Sequence, residues 1–291
     1  MNVLIIGASG LVGGNCLRHF SEQTNINVVG TYFSYQTGEL SYFDTLNPDN
    51  PENFDIEAFS PDAIIHCGAL THVDYCEDHV NESYEKTVKS TLNVIELCQK
   101  TSARMVFIST DYVFDGENGP YDEEAEVNPL GVYAKHKLEA ERAVLKELPE
   151  SIVIRITNVY GDEERKKNFV IRIVDQILEG KKLTLKLPVD QYATPVNASD
   201  VARAVFLLLS DNKSGIYNLN SSDYVNRVEL VEIILARFPE AEYDMEELST
   251  ADLQQAALRP LKGGLLNHKF LNEYPEFRFS NVDEYLNKFA S

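Results

Sequence analysis

Two side chains four positions apart, Tyr133 and Lys137, have the types and the spacing of a proton-transferring pair. On a helix, positions i and i+4 share one face. A phenol with a pKa near ~10 is a poor acid or base at neutral pH, and a nearby ammonium group stabilises its phenolate form and lowers that pKa. The pair therefore predicts general acid–base chemistry, whereas the alternative is a surface helix with a solvated lysine.

A hydroxyl group accompanies this pair. Thr110 follows the apolar run 104–109 and lies in the stretch STDYVFDG at 109–116, which precedes the segment with Tyr133. Open α/β sheets bind their ligands outside the carboxyl ends of the strands. We therefore expect the Thr110 hydroxyl to bond a carbonyl oxygen that receives a proton from Tyr133.

A glycine-rich turn follows the first apolar run of the chain. Gly7, Gly10 and Gly13 have the spacing GxxGxxG between a predicted strand at 2–6 and a predicted helix at 11–22. Such glycines allow a tight turn, a close approach of the backbone to a pyrophosphate and close packing of helix on strand. Because the helix N-terminus adds free N–H groups and a positive dipole end, the turn predicts a dinucleotide site.

The choice between NAD and NADP is less clear from the sequence. An acidic residue at the end of the second strand binds the ribose 2′-hydroxyl of NAD, whereas a cation suits the 2′-phosphate of NADP. The stretch 30–34 has neither, and no Lys or Arg occurs between Arg18 and Lys86. The missing cation argues mildly against NADP, and the prediction remains NADH or NADPH.

An anionic substrate would need a local group of cations in this acidic chain. Arg165, Lys166, Lys167 and Arg172 follow the apolar run 151–157, and Arg259 comes later. These residues either bind a diphosphate or are solvated charges on a helix. Arg259 is the better candidate for the diphosphate.

The alternation of apolar runs and helical patterns predicts the fold. Five apolar runs are typical of buried strands, at 2–6, 27–33, 62–67, 104–109 and 151–157. Helical patterns separate them, at 11–22, 77–100 and 130–148. This order predicts an α/β fold of the Rossmann type, with a doubly wound parallel sheet.

The second half is more mixed than the first. It predicts helices near 166–179, at 199–210 and after 226, and strands near 183–187 and 215–219. We expect a dinucleotide-binding domain at 1–160, to which a segment at about 190–220 returns. A smaller mixed α/β substrate-binding region is expected at 161–291.

Composition limits the partners. The 291 residues carry a net charge of −20, which repels nucleic acid and anionic membrane surfaces, and no apolar run approaches the ~20 residues of a membrane span. Four cysteines without a secretory signal predict reduced thiols and a cytoplasmic location. The histidines and cysteines at 66–79 lack the paired spacing of zinc ligands, so no metal site is predicted. A homodimer stays open.

With these residues in view, the chain resembles the extended short-chain dehydrogenases/reductases, and within them the dTDP-4-dehydrorhamnose reductases most closely. The resemblance runs from residue 1 to about 270. The matching segments are STDYVFDG at 109–116, NPLGVYAKHK at 128–137, LTHVDYCE at 70–77, VDQYATP at 189–195 and RPL at 259–261.

The resemblance implies that a hydride passes from a nicotinamide to the C4 keto group of a nucleotide-linked 6-deoxy sugar. It implies a proton donor in Tyr133, a partner in Lys137 that tunes the phenol and holds the nicotinamide ribose, and an orienting hydroxyl in Thr110. The substrate-binding residues would be Thr110, Asp111, Asn158 and Arg259. The cofactor would contact Tyr133, Lys137, Gly7, Ser9, Gly10, Leu11, Val12, Gly13, Tyr32, Asp44, Thr45, Gly68, Ala69 and Leu70.

Several positions depart from the family pattern. The chain has no Trp, and Asn158 stands where family members carry one in the sugar site. His66 replaces an Asn, Thr87 replaces the helical Asn of many short-chain dehydrogenases, and Gly263 replaces a Ser. The altered positions face the sugar or the cofactor ribose, so the exact sugar does not follow.

Two other functions stay open. One keeps the fold and cofactor but acts on another nucleotide sugar, as a reductase, epimerase or dehydratase. Dehydratases usually carry an acidic residue where Tyr112 follows Thr110-Asp111, which favours a reductase. The other is a non-catalytic regulatory protein, since the beta subunit of methionine adenosyltransferase resembles the same region. The intact Thr110, Tyr133 and Lys137 argue against that reading.

Overall fold

The computed structural model describes residues 1–289. Parallel strands that form a sheet dominate the first half, and a smaller sheet lies in the second. The strands in chain order are β1 Asn2–Ile6, β2 Asn27–Tyr32, β3 Ser41–Tyr42, β4 Ala63–His66, β5 Arg104–Thr110, β6 Ile152–Ile156, β7 Leu183–Pro188, β8 Gly215–Asn218 and β9 Tyr243–Leu248.

The large sheet has seven strands within the described residues, in the order β3-β2-β1-β4-β5-β6-β8, and every pair is parallel. The order reverses between β1 and β4, which places a crevice outside the carboxyl ends of these two strands. The predicted doubly wound parallel sheet of the Rossmann type is confirmed.

Helices cover both faces of this sheet. The α-helices of the described residues are α1 Leu11–Ser21, α2 Ile56–Phe59, α3 Val73–Asp78, α4 Val80–Tyr84, α5 Ser90–Thr101, α6 Val132–Glu147, α7 Phe169–Leu178, α8 Ala198–Ser210, α9 Arg227–Arg237, α10 His268–Glu273 and α11 Val282–Leu286. Of these, α1 and α8 cover one face of the large sheet, and α5 and α6 cover the other. None of the helices in residues 1–289 is both long and apolar enough to cross a membrane.

The burial of β1 explains why its sequence is an unbroken apolar run. Successive side chains of a strand point to opposite faces of the sheet. Val3 and Ile5 pack in the core beneath α1 and α8, whereas Leu4 and Ile6 pack in the core beneath α5 and α6. A strand covered on both faces needs apolar side chains at every position, so no alternation is visible.

The second half builds a separate core. Strands β7 and β9 pair in parallel, and side chains of α7, α9 and α11 pack together beside them. Strand β9 corrects the prediction of helices throughout the region after 226. Its six residues are YDMEEL, and its acidic side chains pair with lysines across the strands, as Lys182 does with Asp244 and Lys186 with Glu246. Because β9 is mostly exposed, it has no apolar period to detect.

The predicted helix at 77–100 is wrong as a single element. The chain there forms α3 and α4, then a π-helical turn at Glu85–Lys89, then α5. The backbone of His79 leaves the helical region between α3 and α4, with φ −129° and ψ 55°. Thr87 lies in the π-helical turn with its side chain buried.

Candidate active site

A cleft of about 1210 Å³ lies outside the carboxyl ends of β1, β2, β4, β5 and β6. The residues to which the family resemblance assigns catalysis, cofactor binding or substrate binding all line this cleft. They are Gly7, Ser9, Gly10, Leu11, Val12, Gly13, Tyr32, Asp44, Thr45, Gly68, Ala69, Leu70, Thr110, Asp111, Tyr133, Lys137, Asn158 and Arg259.

The glycine turn forms one end of the cleft. Gly7 has φ +84°, a conformation that residues with a side chain rarely adopt. A Cβ on Gly13 would lie 2.4 Å from the carbonyl oxygen of Gly7, so helix α1 crosses the turn at the closest distance that glycine permits. Helix α1 begins after Gly10, with no side-chain cap and no acidic residue in its first turn. The free N–H groups fit a pyrophosphate.

We expect Gly13→Ala to lower the free energy of unfolding by about 3 kcal/mol, because the clash with the Gly7 carbonyl outweighs the roughly 1 kcal/mol of helix propensity that alanine adds. Chemical denaturation of the cofactor-free protein measures the change. Gly10→Ala is the matched control, since its Cβ would meet only the Gly7 oxygen, at 3.4 Å. Equal stability of the two variants would contradict the close-packing argument.

A polar network holds the end of the cleft that lies beside β2 and β3. Asp44 accepts hydrogen bonds from the backbone N–H of Leu46 at 2.9 Å and from the side-chain amide of Asn47. The Thr45 hydroxyl lies 2.8 Å from that of Ser90, at the start of α5. Tyr32 packs edge-on against Tyr42 from the neighbouring strand. Contacts from α5 and between β2 and β3 therefore hold this end of the cleft.

Thr110 and Tyr133 come together because a strand ends where a helix starts. The Thr110 hydroxyl caps a short turn at 111–113, accepting from the N–H of Tyr112 at 3.2 Å. Tyr133 lies in the first turn of α6, whose N-terminus is fixed by Glu77, with 2.6 Å between the Val132 nitrogen and Oε1 of Glu77. Burial raises the pKa of Tyr133 well above its usual value, and a hydrogen bond with Thr110 partly offsets that. The phenol is thus protonated at neutral pH.

Lys137 lies beneath Tyr133 in the interior, with 3% of its surface exposed. Its ammonium group donates to the carbonyl oxygen of Ile108 and lies 4.1 Å from the centre of the Phe107 ring. Burial lowers the pKa of Lys137 to about 8, while Glu141 and Cys67 act in the opposite direction. In this geometry the ammonium group is directed to the end of β5, and the neighbour that lowers the pKa of Tyr133 is Thr110.

A buried ion pair supports Lys137, and the sequence reasoning missed it. Glu141 accepts two hydrogen bonds from Arg155, at 3.1 Å from Nε and 2.8 Å from Nη2, and neither side chain is more than 3% exposed. Glu141 follows Lys137 by four positions, so the repeated spacing Tyr133, Lys137, Glu141 was the signal available in the sequence.

The opposite end of the cleft contains arginines. Arg227, at the start of α9, donates to Oδ1 of Asn158 at 2.7 Å and lies over the Phe169 ring. Burial lowers its pKa. Arg259 pairs with Asp74 at 2.7 Å, and its Nη1 is buried without a partner among residues 1–289. Arg227 was also missed, because nothing near it in the sequence suggests a site.

Asp111 and Asn158 face the space between Tyr133 and the arginines. Burial raises the pKa of Asp111 to about 6, although hydrogen bonds with Thr157 and the N–H of Gly264 act in the opposite direction. Asn158 has φ +42°, so the residue in the place of the family's Trp adopts a left-handed backbone and is held by Arg227.

The other predicted cations divide into two groups. Arg165 and Lys167 line the cleft. Lys166 pairs instead with Asp175 at 3.1 Å, and Arg172 is not among the residues of the cleft wall. Of these four candidates for a diphosphate, only Arg165 and Lys167 therefore remain.

His66 and Thr87, two of the positions that depart from the family pattern, are both buried. Burial and the charge of Lys137 lower the pKa of His66 to about 3, so its ring is neutral. Neither ring nitrogen of His66, nor the Thr87 hydroxyl, has a hydrogen-bond partner in the part of the chain that the structure describes. Neither residue is among those that line the cleft, so a buried water is the partner that fits these polar atoms.

Comparison with known proteins agrees with the site. The family model described as the RmlD substrate binding domain matches residues 1–290. The crystal structure of a dTDP-4-dehydrorhamnose reductase from Clostridium acetobutylicum superposes with a TM-score of 0.85 at 27% identity, covering 100% of both chains.

Two further relatives are about equally similar to this chain in sequence, and one of them is not named as a reductase. Methionine adenosyltransferase 2 subunit beta of Bos taurus is 30% identical over 233 residues, which cover 78% of this chain and 69% of that protein. The probable low-salt glycan biosynthesis reductase Agl14 of Haloferax volcanii is 29% identical over 272 residues, covering 91% and 89%. The resemblance to extended short-chain dehydrogenases/reductases is confirmed, and the chain belongs to the RmlD substrate binding domain family.

Proposed function

We propose that the protein is an NAD(P)H-dependent reductase of the C4 keto group of a nucleotide-linked 6-deoxy sugar, with dTDP-4-dehydrorhamnose as the first substrate to test. The observation that carries the proposal is the meeting of Thr110, Tyr133 and Lys137 in the cleft that also contains the glycine turn. The similarity to a solved dTDP-4-dehydrorhamnose reductase over the whole chain supports the substrate class.

The residues of the cleft fit a nicotinamide dinucleotide. The turn at Gly7–Gly13 leaves space that Cβ atoms would fill, and α1 presents uncapped N–H groups to the pyrophosphate. Asp44, Thr45 and Tyr32 would hold the adenosine end, and Gly68, Ala69 and Leu70 would lie along the middle. Lys137 would hold the nicotinamide ribose. When bound, the reduced nicotinamide supplies a hydride to the carbonyl carbon of the sugar.

Side chains of the protein supply the proton that the carbonyl oxygen of the sugar receives. The Thr110 hydroxyl orients the carbonyl oxygen, and Tyr133, which is protonated at neutral pH because burial raises its pKa, donates its phenolic proton to that oxygen. Lys137 would stabilise the remaining phenolate by its charge, because its ammonium group donates to the carbonyl oxygen of Ile108. It keeps most of that charge at pH 7, since its pKa is about 8.

The sugar nucleotide would lie toward the arginines. A buried guanidinium group without a carboxylate partner is unfavourable, and an anionic ligand relieves the cost. No carboxylate lies within ion-pair distance of Arg227 in residues 1–289, whereas Arg259 is already paired with Asp74. We therefore propose that Arg227 binds the diphosphate of the substrate, with Asp111, Asn158 and Arg259 around the sugar.

Arg227→Gln is expected to raise the KM for the sugar nucleotide by ~10-fold or more, because a charge-assisted hydrogen bond is lost. The Kd for the cofactor should not change, since the arginine lies at the sugar end. Arg237→Gln, on the exposed end of the same helix, is the matched control. An unchanged KM in the Arg227 variant would remove this residue from substrate binding.

The deciding experiment follows NADH and NADPH oxidation at equal protein concentration with freshly prepared dTDP-4-dehydro-L-rhamnose. Oxidation that depends on the sugar would establish the reductase. Absence of oxidation with either cofactor, although the cofactor binds, would contradict this substrate and favour another nucleotide sugar or an epimerase.

A regulatory role is the second candidate function, and one finding supports it. The 30% identity to Methionine adenosyltransferase 2 subunit beta over 233 residues favours a regulatory role. Binding to a methionine adenosyltransferase catalytic subunit, measured with no sugar present, would support it. The catalytic residues Thr110, Tyr133 and Lys137 would be superfluous for that role, which is why the reductase comes first.

Three further proposals concern organisation. We place the cofactor domain at 1–160 and the substrate region at 161–291, with the segment at about 190–220 packing back onto the cofactor domain. The packing of α8 on α1 and the pairing of β8 with β6 support the position of that segment. A cytoplasmic location is supported by the free thiols Cys16, Cys67, Cys76 and Cys98. A homodimer remains to be tested by sedimentation.

A further inference from the structure

A loop from the second half of the chain reaches the end of β2. The segment 157–168 joins β6 to α7, and the guanidinium carbon of Arg165 lies 5.0 Å from the centre of the Tyr35 ring. Tyr35 comes directly after Ser34, and Ser34 and Arg165 both line the cofactor cleft. The fold thus places a cation beside a strand end that has none nearby in the sequence.

The position of this loop is fixed from both sides. The backbone carbonyl of Asp162 accepts a hydrogen bond of 2.9 Å from the Asn15 side chain, on α1. The hydroxyl of Thr37 donates to the Glu164 carboxylate, which ties the loop to the segment after β2. The loop therefore spans the cleft between the glycine turn and the end of β2.

The guanidinium group of Arg165 has no ion pair in the loop or elsewhere within the described residues, and its buried Nε has no hydrogen-bond partner there. The two adjacent acids are engaged otherwise. Glu163 accepts from the N–H groups of Lys167 and Asn168, at 2.9 and 3.0 Å, and Glu164 accepts from Thr37. A half-buried, unpaired arginine facing a ligand cleft is suited to a phosphate.

The position of Arg165 beside the end of β2 indicates which phosphate group of a dinucleotide it would bind. In this fold the residue after the second strand contacts the 2′ position of the adenosine ribose, through an acid for NAD or a cation for NADP. Tyr32, Phe33 and Ser34 include no acid that would repel a 2′-phosphate. We propose that Arg165 binds the 2′-phosphate of NADPH and gives the protein a preference for NADPH over NADH.

The position of Arg165 supplies the cation whose absence near β2 in the sequence argued mildly against NADP. No Lys or Arg lies close to β2 along the chain, because none occurs between Arg18 and Lys86. The cation comes instead from a loop that follows β6, which only the tertiary fold brings to the site.

Direct binding tests the proposal without any sugar. We would titrate the protein with NADPH and with NADH and measure each Kd by the fluorescence of the reduced nicotinamide. The expected result is NADPH bound ~10-fold or more tightly than NADH, with the difference shrinking at high ionic strength. Arg165→Gln should weaken NADPH binding by ~10-fold and leave the Kd of NADH unchanged.

Lys166→Gln is the matched control, because it removes the same charge from the same loop at a side chain paired with Asp175. It should keep the preference for NADPH. Equal affinities in the unchanged protein would overturn the proposal. So would an equal loss of both cofactors in Arg165→Gln, which would assign the arginine to the pyrophosphate. Because no substrate is present, failure of the proposed sugar leaves this test intact.

Discussion

Tyr133→Phe is expected to lower the turnover of sugar-dependent NAD(P)H oxidation by ~10²-fold or more. The substitution removes one oxygen and leaves the ring that packs edge-on against Tyr112, with 6.1 Å between ring centres. The keto oxygen then loses its proton donor, because Thr110 can orient that oxygen but is itself a far weaker acid than a phenol. Steady-state rates at saturating cofactor and sugar measure the effect.

Cofactor binding separates this chemical loss from a structural one. The Kd for the reduced cofactor should be preserved in Tyr133→Phe, because the glycine turn and α1 are untouched. Tyr112→Phe is the matched control, since it removes a phenol from the same cleft. It should cost much less turnover than Tyr133→Phe. Retained turnover in the Tyr133 variant would exclude this residue from the proton transfer.

The large sheet could be predicted because its strands have a simple physical signature. A parallel strand covered on both faces is apolar at every position, as in Val3–Ile6, and such runs stand out in a charged sequence. Strand β9 gives no such signal. Its exposed residues are held by backbone pairing with β7 and by ion pairs such as Lys186 with Glu246, neither of which has a period along the chain.

The residues of the active site likewise fall into those that lie close together in sequence and those that only the tertiary fold brings together. The glycine turn and the Tyr133–Lys137 pair are local, so their spacing alone indicated the chemistry. Arg227 could not be found in this way, and Arg165 was named only as a candidate for the substrate diphosphate, since each reaches the cleft from an element far along the chain. Charged residues are ordinarily solvated, and only tertiary packing reveals which of them have lost their water.

Neutralising Glu141 is expected to lower the free energy of unfolding by about 3–5 kcal/mol, because Glu141→Gln leaves the buried charge of Arg155 without a counterion. Chemical denaturation measures the loss. Glu147→Gln, in the last turn of the same helix, is the matched control: its pair with Lys146 is exposed, and such pairs contribute at most about 1 kcal/mol. Equal stability of the two variants would contradict a structural role for the buried pair.

A double substitution separates stability from chemistry. Replacing both partners by apolar residues, as in Glu141→Leu with Arg155→Met, removes the stranded charge and should recover most of the stability. The double variant still lacks the Glu141 carboxylate, whose charge raises the pKa of Lys137 against the effect of burial. The ammonium group should therefore lose its proton at a lower pH than in the unchanged protein, where its pKa is about 8. If the buried pair serves only the fold, the alkaline limb of the rate profile will stay where it is in the unchanged protein; if it also holds the charge of Lys137, that limb will move to lower pH.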